Sequence, residues 1–116
     1  MKYFVIGERE IILAFGLVGV QGAVAVNRTE ALDAFNRVTG RVSVTAPHGE
    51  TVIPSDDRPM ILILTEDVSV MIEDEVLQWQ MSGKYPLIVE IPGIHGKIAG
   101  KKSLTDSIRE AVGISV

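Results

Sequence analysis

The sequence predicts an α/β fold built on a parallel sheet, and two observations carry that prediction. Met60–Leu64 and Leu87–Ile91 are short, unbroken apolar runs. Pro59 and Thr65-Glu66-Asp67 bound the first, and Pro86 and Pro92 bound the second. Runs that are apolar on both faces suit strands of a parallel sheet covered from both sides. Between them, Val68, Met71, Ile72, Val76 and Trp79 fall on one stripe at helical spacing. Thr65 or Asp67 is placed to cap the start of this helix, and Gly83 to end it. Glu75 interrupts the stripe, and nothing in the local pattern accounts for it. Strand, helix and strand make a βαβ unit with a right-handed crossover.

The N-terminal part reads as a second such unit. Lys2–Gly7 is the first strand. A helix follows from about Glu8 to Leu17, with Ile11, Ile12 and Phe15 inward, and Glu8 and Glu10 suit its positive N-terminal end. Gly19 breaks the chain before a strand over Val20–Val26. Asn27-Arg28-Thr29-Glu30 has the spacing of a capping box. The next helix covers Glu30–Val38, with Leu32, Phe35 and Val38 inward and Gly40 at its end. Ile11–Val26 also imitates a secretory segment: it is uncharged and contains Ala23-Val24-Ala25. A signal peptide requires a cationic leader, whereas Glu8, Arg9 and Glu10 stand before this run and glycines interrupt it. It is also short for a membrane span.

Residues 41–58 change character. They are polar, contain Pro47 and Pro54, and read either as a small protruding hairpin or as a long mobile loop. Gly93, Gly96 and Gly100 with Lys97, Lys101 and Lys102 then form a flexible basic linker. Ser103-Leu104-Thr105-Asp106 is a helix start signal, Leu104, Ile108, Ala111 and Val112 form an apolar stripe, and Gly113 stops the helix. A helix this short must dock to be stable. Residues 1–92 are therefore expected to form the α/β domain, with 41–58 inserted, and 93–116 the linker and C-terminal helix.

Composition narrows the function. The 116 residues suit one globular domain, with 47% hydrophobic residues and a mean hydropathy of +0.29. The net charge of −4 argues against a nucleic-acid surface, which is normally basic. With no cysteine, thiol catalysis, disulfides and cysteine–zinc sites are excluded. No phosphate-binding loop motif is present. Gly16, Gly19 and Gly22 are spaced like a dinucleotide fingerprint but fall between helix and strand, where amides cannot face a pyrophosphate; they read as turn residues. His48 and His95 have no matching carboxylate spacing. Glu8, Glu10, Glu66 and Asp67 gather at the carboxyl edge of the sheet, where α/β folds bind ligands, and such a cluster is able to hold a divalent cation. Acids also favour helix N-termini on their own account, and that is the preferred reading. No catalytic residue, metal or cofactor is expected.

Val5-Ile-Gly-Glu-Arg-Glu with Ala14-Phe-Gly-Leu-Val-Gly-Val resembles the opening of the F subunit of V-type and archaeal-type (A-type) rotary ATPases. Ile61-Leu-Ile-Leu-Thr-Glu-Asp, Tyr85-Pro-Leu-Ile-Val-Glu-Ile-Pro-Gly and Ser107-Ile-Arg-Glu-Ala-Val-Gly-Ile resemble that family's third strand, fourth strand and final helix. The resemblance spans the chain except 41–58, where the family pattern is shorter. It implies a four-stranded parallel sheet of order 2-1-3-4 with helices on both faces and a mobile C-terminal helix. It also implies a non-catalytic, cytoplasmic rotor component, peripheral to a membrane-bound complex. Such a component binds the coiled-coil D subunit and acts with the A3B3 catalytic head and the rotor-ring adaptor, coupling ATP turnover to proton or sodium transport without entering the membrane. On this reading Lys101, Lys102, Leu104, Ile108, Arg109 and Val112 are the candidate partner-binding residues. The rivals are a phosphoacceptor receiver, which shares the doubly wound plan, and a small-ligand-binding module. The chain departs from the receiver pattern: the acids after the first strand, Glu8 and Glu10, are glutamates, Asp67 lies beyond Thr65-Glu66 after the third, and Pro92-Gly93 stands where a lysine is expected after the last.

Overall fold

A computed structural model describes residues 2–41 and 58–96. Its strands are β1 (Tyr3–Gly7), β2 (Gln21–Val24), β3 (Ile61–Thr65) and β4 (Leu87–Ile91). Its helices are α1 (Arg9–Gly16), α2 (Arg28–Thr39), α3 (Glu66–Met71) and α4 (Glu73–Ser82). The four strands form one all-parallel sheet in the order β2-β1-β3-β4. The expected α/β architecture and strand order are thus present. The segment between Arg41 and Arg58, including His48, and the expected C-terminal helix lie outside the described residues.

Register sets which side chains share a face. Ile6 pairs with Leu64, and Leu62 with Ile88, so these four look out from the same face. They join Ala31, Ala34, Phe35 and Val38 of α2 and Val68, Ile72, Val76 and Trp79 of the α3–α4 region in one buried cluster. Trp79 anchors it. Its indole Nε1 donates to the Pro86 carbonyl at 2.9 Å, and its ring meets Phe35 edge-on, centroids 6.4 Å apart.

The opposite face is covered unequally. Val5 is fully buried beneath α1, but Tyr3, Leu87 and Val89 are exposed, as are Leu13, Leu17 and Val18 at the outer side and end of α1. Ile11, Ile12 and Phe15 do turn inward, yet each is only half-buried. Among the described residues, strand apolarity on both sides therefore does not mean equal burial on both sides. The apolar stretch that imitates a secretory segment is α1, a turn and β2. No helix among the described residues is long and apolar enough to cross a membrane.

Local signals act where the sequence places them. The Glu30 amide donates to Asn27 Oδ1 at 2.9 Å. The Glu30 carboxylate reaches back to the Val26 amide at 3.0 Å, one residue earlier than the standard capping box. Gly40 and Gly83 close α2 and α4 in the left-handed conformation. Of the three spaced glycines, Gly19 lies in the turn after α1 with φ +86°, and Gly16 ends α1. Gly22 corrects the reading of all three as turn residues, because it lies within β2. A Cβ there would stand 2.6 Å from the Val5 carbonyl oxygen and 3.0 Å from Ile12 Cδ1. Its missing side chain lets α1 approach the sheet.

The expected single helix after β3 is instead two helices, α3 and α4, broken at Ile72 (φ −126°, ψ 38°). At the break, Arg28 Nη1 donates to the Met71 carbonyl at 2.7 Å, and its guanidinium also grips the Glu75 carboxylate through both nitrogens. A side chain inserted at a carbonyl is a recognised cause of a helix kink. The same contact explains Glu75, which belongs to a polar clamp between α2 and α4. Hydrogen bonding from Arg28 holds the Glu75 carboxyl below the ordinary carboxylate range, against the opposing effect of its partial burial.

A carboxyl whose folded-state pKa is depressed stabilises the fold above its unfolded value of about 4.3. That contribution is lost as pH falls through the lower, folded value. Glu75→Gln removes the titration. Wild-type stability should therefore fall more steeply than that of the variant as pH drops below the ordinary carboxylate range. Urea unfolding across acidic pH, followed by the single tryptophan, checks this; parallel curves would refute a role for the clamp in acid sensitivity.

Candidate functional site

The partner-binding residues expected from the sequence, Lys101, Lys102, Leu104, Ile108, Arg109 and Val112, lie outside the described residues. The described domain carries its own candidate site at the carboxyl edge of the sheet. In the order β2-β1-β3-β4, the connection after β1 leads toward one edge and the connection after β3 toward the other. Such a switch point opens a crevice between the two strand ends.

Here the crevice is a cavity of about 460 Å³ lined by Glu8, Ala25, Val26, Thr65, Asp67, Val68, Val70 and Met71. Glu8 follows β1 and precedes α1. It is fixed from outside the unit, because its Oε1 accepts a hydrogen bond from the Ile94 amide. The chain can pass this close because residue 93 is glycine. A Cβ on Gly93 would lie 2.6 Å from Glu8 Oε1 and 3.3 Å from Asp67 Oδ2. Both carboxylates therefore converge on the same backbone point. Thr65 precedes α3, but its side chain makes no cap hydrogen bond. It is fully buried, and its Oγ1 has no hydrogen-bond partner.

Of the four acids gathered at this edge in the sequence, the fold brings together two. Glu10 points into solvent in the first turn of α1, and Glu66 is buried with interactions of its own. Among the described residues no group of three or more histidine, aspartate or glutamate side chains is arranged to hold a metal ion. His95 is exposed. The sequence marks Thr65 only as a cap and Met71 only as part of the helical stripe, and it gives Val26 and Val70 no role in a site. The signal that points to them is their place on the edge already marked by Glu8 and Asp67: Val26 follows β2, Thr65 ends β3, and Val70 and Met71 close α3.

Among the described residues lining the cleft, the one hydroxyl, Thr65 Oγ1, is paired with no base. The spaced glycines lie elsewhere, at the end of α1, in the following turn and in β2. A family model described as ATP synthase (F/14-kDa) subunit matches residues 50–112. The chain belongs to this family. The match runs from before β3 through β4 and into the segment that carries the C-terminal stripe.

Archaeal relatives align with the whole of this F-family chain. The F subunit of the A-type ATP synthase of Methanocaldococcus jannaschii is 28% identical over 117 residues, covering 100% of this chain and 99% of the relative. The Pyrococcus furiosus protein of the same name is 30% identical over 118 residues, covering 98% of the relative. That of Thermococcus sibiricus is 26% identical with similar coverage. The family is a non-catalytic stalk component of the rotary ATP synthase. Family membership decides against the receiver and small-ligand readings as the identity of the chain.

Proposed function

We propose that this chain is a central-stalk rotor component that binds the coiled-coil D subunit and, within the assembled machine, couples ATP turnover in the catalytic head to ion transport through the membrane ring. The observation that carries this reading is the end-to-end similarity to the F subunits of archaeal A-type ATP synthases. The division of labour follows the sequence: residues 1–92 form the α/β domain, and 93–116 the linker and partner-binding helix. Leu104, Ile108 and Val112 supply an apolar stripe for a groove of the coiled coil. Lys101, Lys102 and Arg109 meet acids at its rim. The chain sits on the cytoplasmic side as a peripheral component.

The test is co-expression with the D subunit encoded by the same organism. A stoichiometric complex that survives size-exclusion chromatography, with a dissociation constant of about 1 μM or tighter, is expected. Separate elution of the two chains at micromolar concentration would refute the proposal.

A further inference from the structure

We propose that the carboxyl-edge cleft is a docking site for one basic side chain, an arginine or lysine presented by a partner protein. This goes beyond the rotor reading, which places partner binding on the C-terminal segment and assigns nothing to the cleft.

Three features select the ligand. The first is charge: Glu8 and Asp67 both line the cavity and converge on Gly93, so an anion is repelled. The second is the rest of the lining. Ala25, Val26, Val68, Val70 and Met71 make an apolar wall, and Val26 and Val70 stay exposed beside it. A divalent cation wants a shell of oxygens or retained water, and such a wall supplies none. An arginine or lysine has the matching two-part chemistry, an aliphatic stem that lies on apolar surface and a charged head. The third is Thr65, one of the residues lining the same cavity, whose buried Oγ1 has no hydrogen-bond partner. A buried hydroxyl left unpaired destabilises a free protein, and an incoming N–H donor would satisfy it.

A guanidinium fits better than an ammonium. It offers five donors in a planar fork, enough for two carboxylates and a hydroxyl at once. The cavity of about 460 Å³ lies within the range of small-ligand sites, roughly 300–1,000 Å³. Glu8 is already held by the Ile94 amide, so one of the two carboxylates is positioned before the ligand arrives.

The experiment uses the full chain and N-acetyl-L-argininamide, observed through the backbone amides by NMR. N-acetyl-L-citrullinamide is the neutral control of nearly the same shape. Saturable shifts are expected at Glu8, Val26, Asp67–Met71 and Ile94, with a dissociation constant of about 1–10 mM for one isolated side chain. Citrulline should bind at least about tenfold more weakly, since it loses the charge-assisted hydrogen bonds. Asp67→Asn, at an exposed position, keeps the fold and should weaken arginine binding about fivefold or more. Thr65→Val should move two readouts in opposite directions: the melting temperature rises because no orphan hydroxyl remains, while arginine binding weakens. Magnesium chloride is the alternative probe. Carboxylate-dependent shifts with magnesium and none with the arginine derivative would replace the proposal with a metal site. Equal binding of the citrulline control, or no saturable shift at the cleft with any probe, would also overturn it.

Discussion

Replacing Trp79 with alanine is expected to lower the unfolding free energy by about 3–5 kcal/mol. Three separate losses combine in this change. The indole leaves a void in the cluster that joins the sheet to α2 and α4, and a cavity that neighbours cannot fill adds to the lost transfer free energy. Phe35 loses its edge-on partner. The Pro86 carbonyl loses the Nε1 donor that holds the α4–β4 connection against the helix. Against a typical total stability of about 5–15 kcal/mol, the variant is at or near the folding threshold. Trp79→Phe separates the terms. It keeps a ring against Phe35 but leaves the carbonyl unpaired, and should cost about 1–3 kcal/mol. Urea unfolding followed by far-UV circular dichroism measures both. A loss below ~1 kcal/mol for Trp79→Ala would mean that the residue is not the anchor of this core.

Truncation after Lys102 is expected to leave the α/β domain folded while weakening its binding to the coiled-coil D subunit at least tenfold, about 1.4 kcal/mol. The first half rests on where the core lies. Among the described residues, every member of the buried cluster falls between Ile6 and Ile88, and truncation leaves all of these in place. The second half rests on the proposed role of the stripe Leu104, Ile108 and Val112. A short amphipathic helix gains most of its stability from covering its apolar side, at roughly 25 cal/mol per Å² of apolar surface. Lys101 and Lys102 remain in the truncated chain, so the loss reports the stripe together with Arg109. Thermal melting and calorimetric titration with the D subunit read the two halves independently. An unfolded truncated domain would show that the segment serves the fold. Unchanged affinity would place the whole interface on the domain.

Much of this architecture is determined by short-range sequence signals. The apolar runs around Leu62 and Ile88 specify strands because breakers bound them within a few residues. Asn27 and Glu30 specify the start of α2 because the bonds they make span three and four residues. Gly40 and Gly83 specify helix ends because the left-handed conformation is a property of the single residue. The order of elements follows from such signals, and the strand order 2-1-3-4 from the family resemblance.

The tertiary structure decided what depends on residues far apart in the chain. Glu75 interrupts an apolar stripe until Arg28 arrives from 47 residues away, and the same side chain marks the break at Ile72 that helical periodicity alone runs through. Gly22 reads as a turn residue until β2 is laid beside Val5 and under Ile12. Among the described residues, strands that are apolar on both sides end up with one face sealed and the other half covered, because coverage is set by how the helices pack and not by strand composition. Glu8 and Asp67 are far apart in the sequence and share a cleft only because β1 and β3 are neighbours in the sheet. Periodicity and capping act over one helical turn or one strand. Clamps, close approaches and clefts are set by strand order and register, which bring together side chains that no local pattern relates.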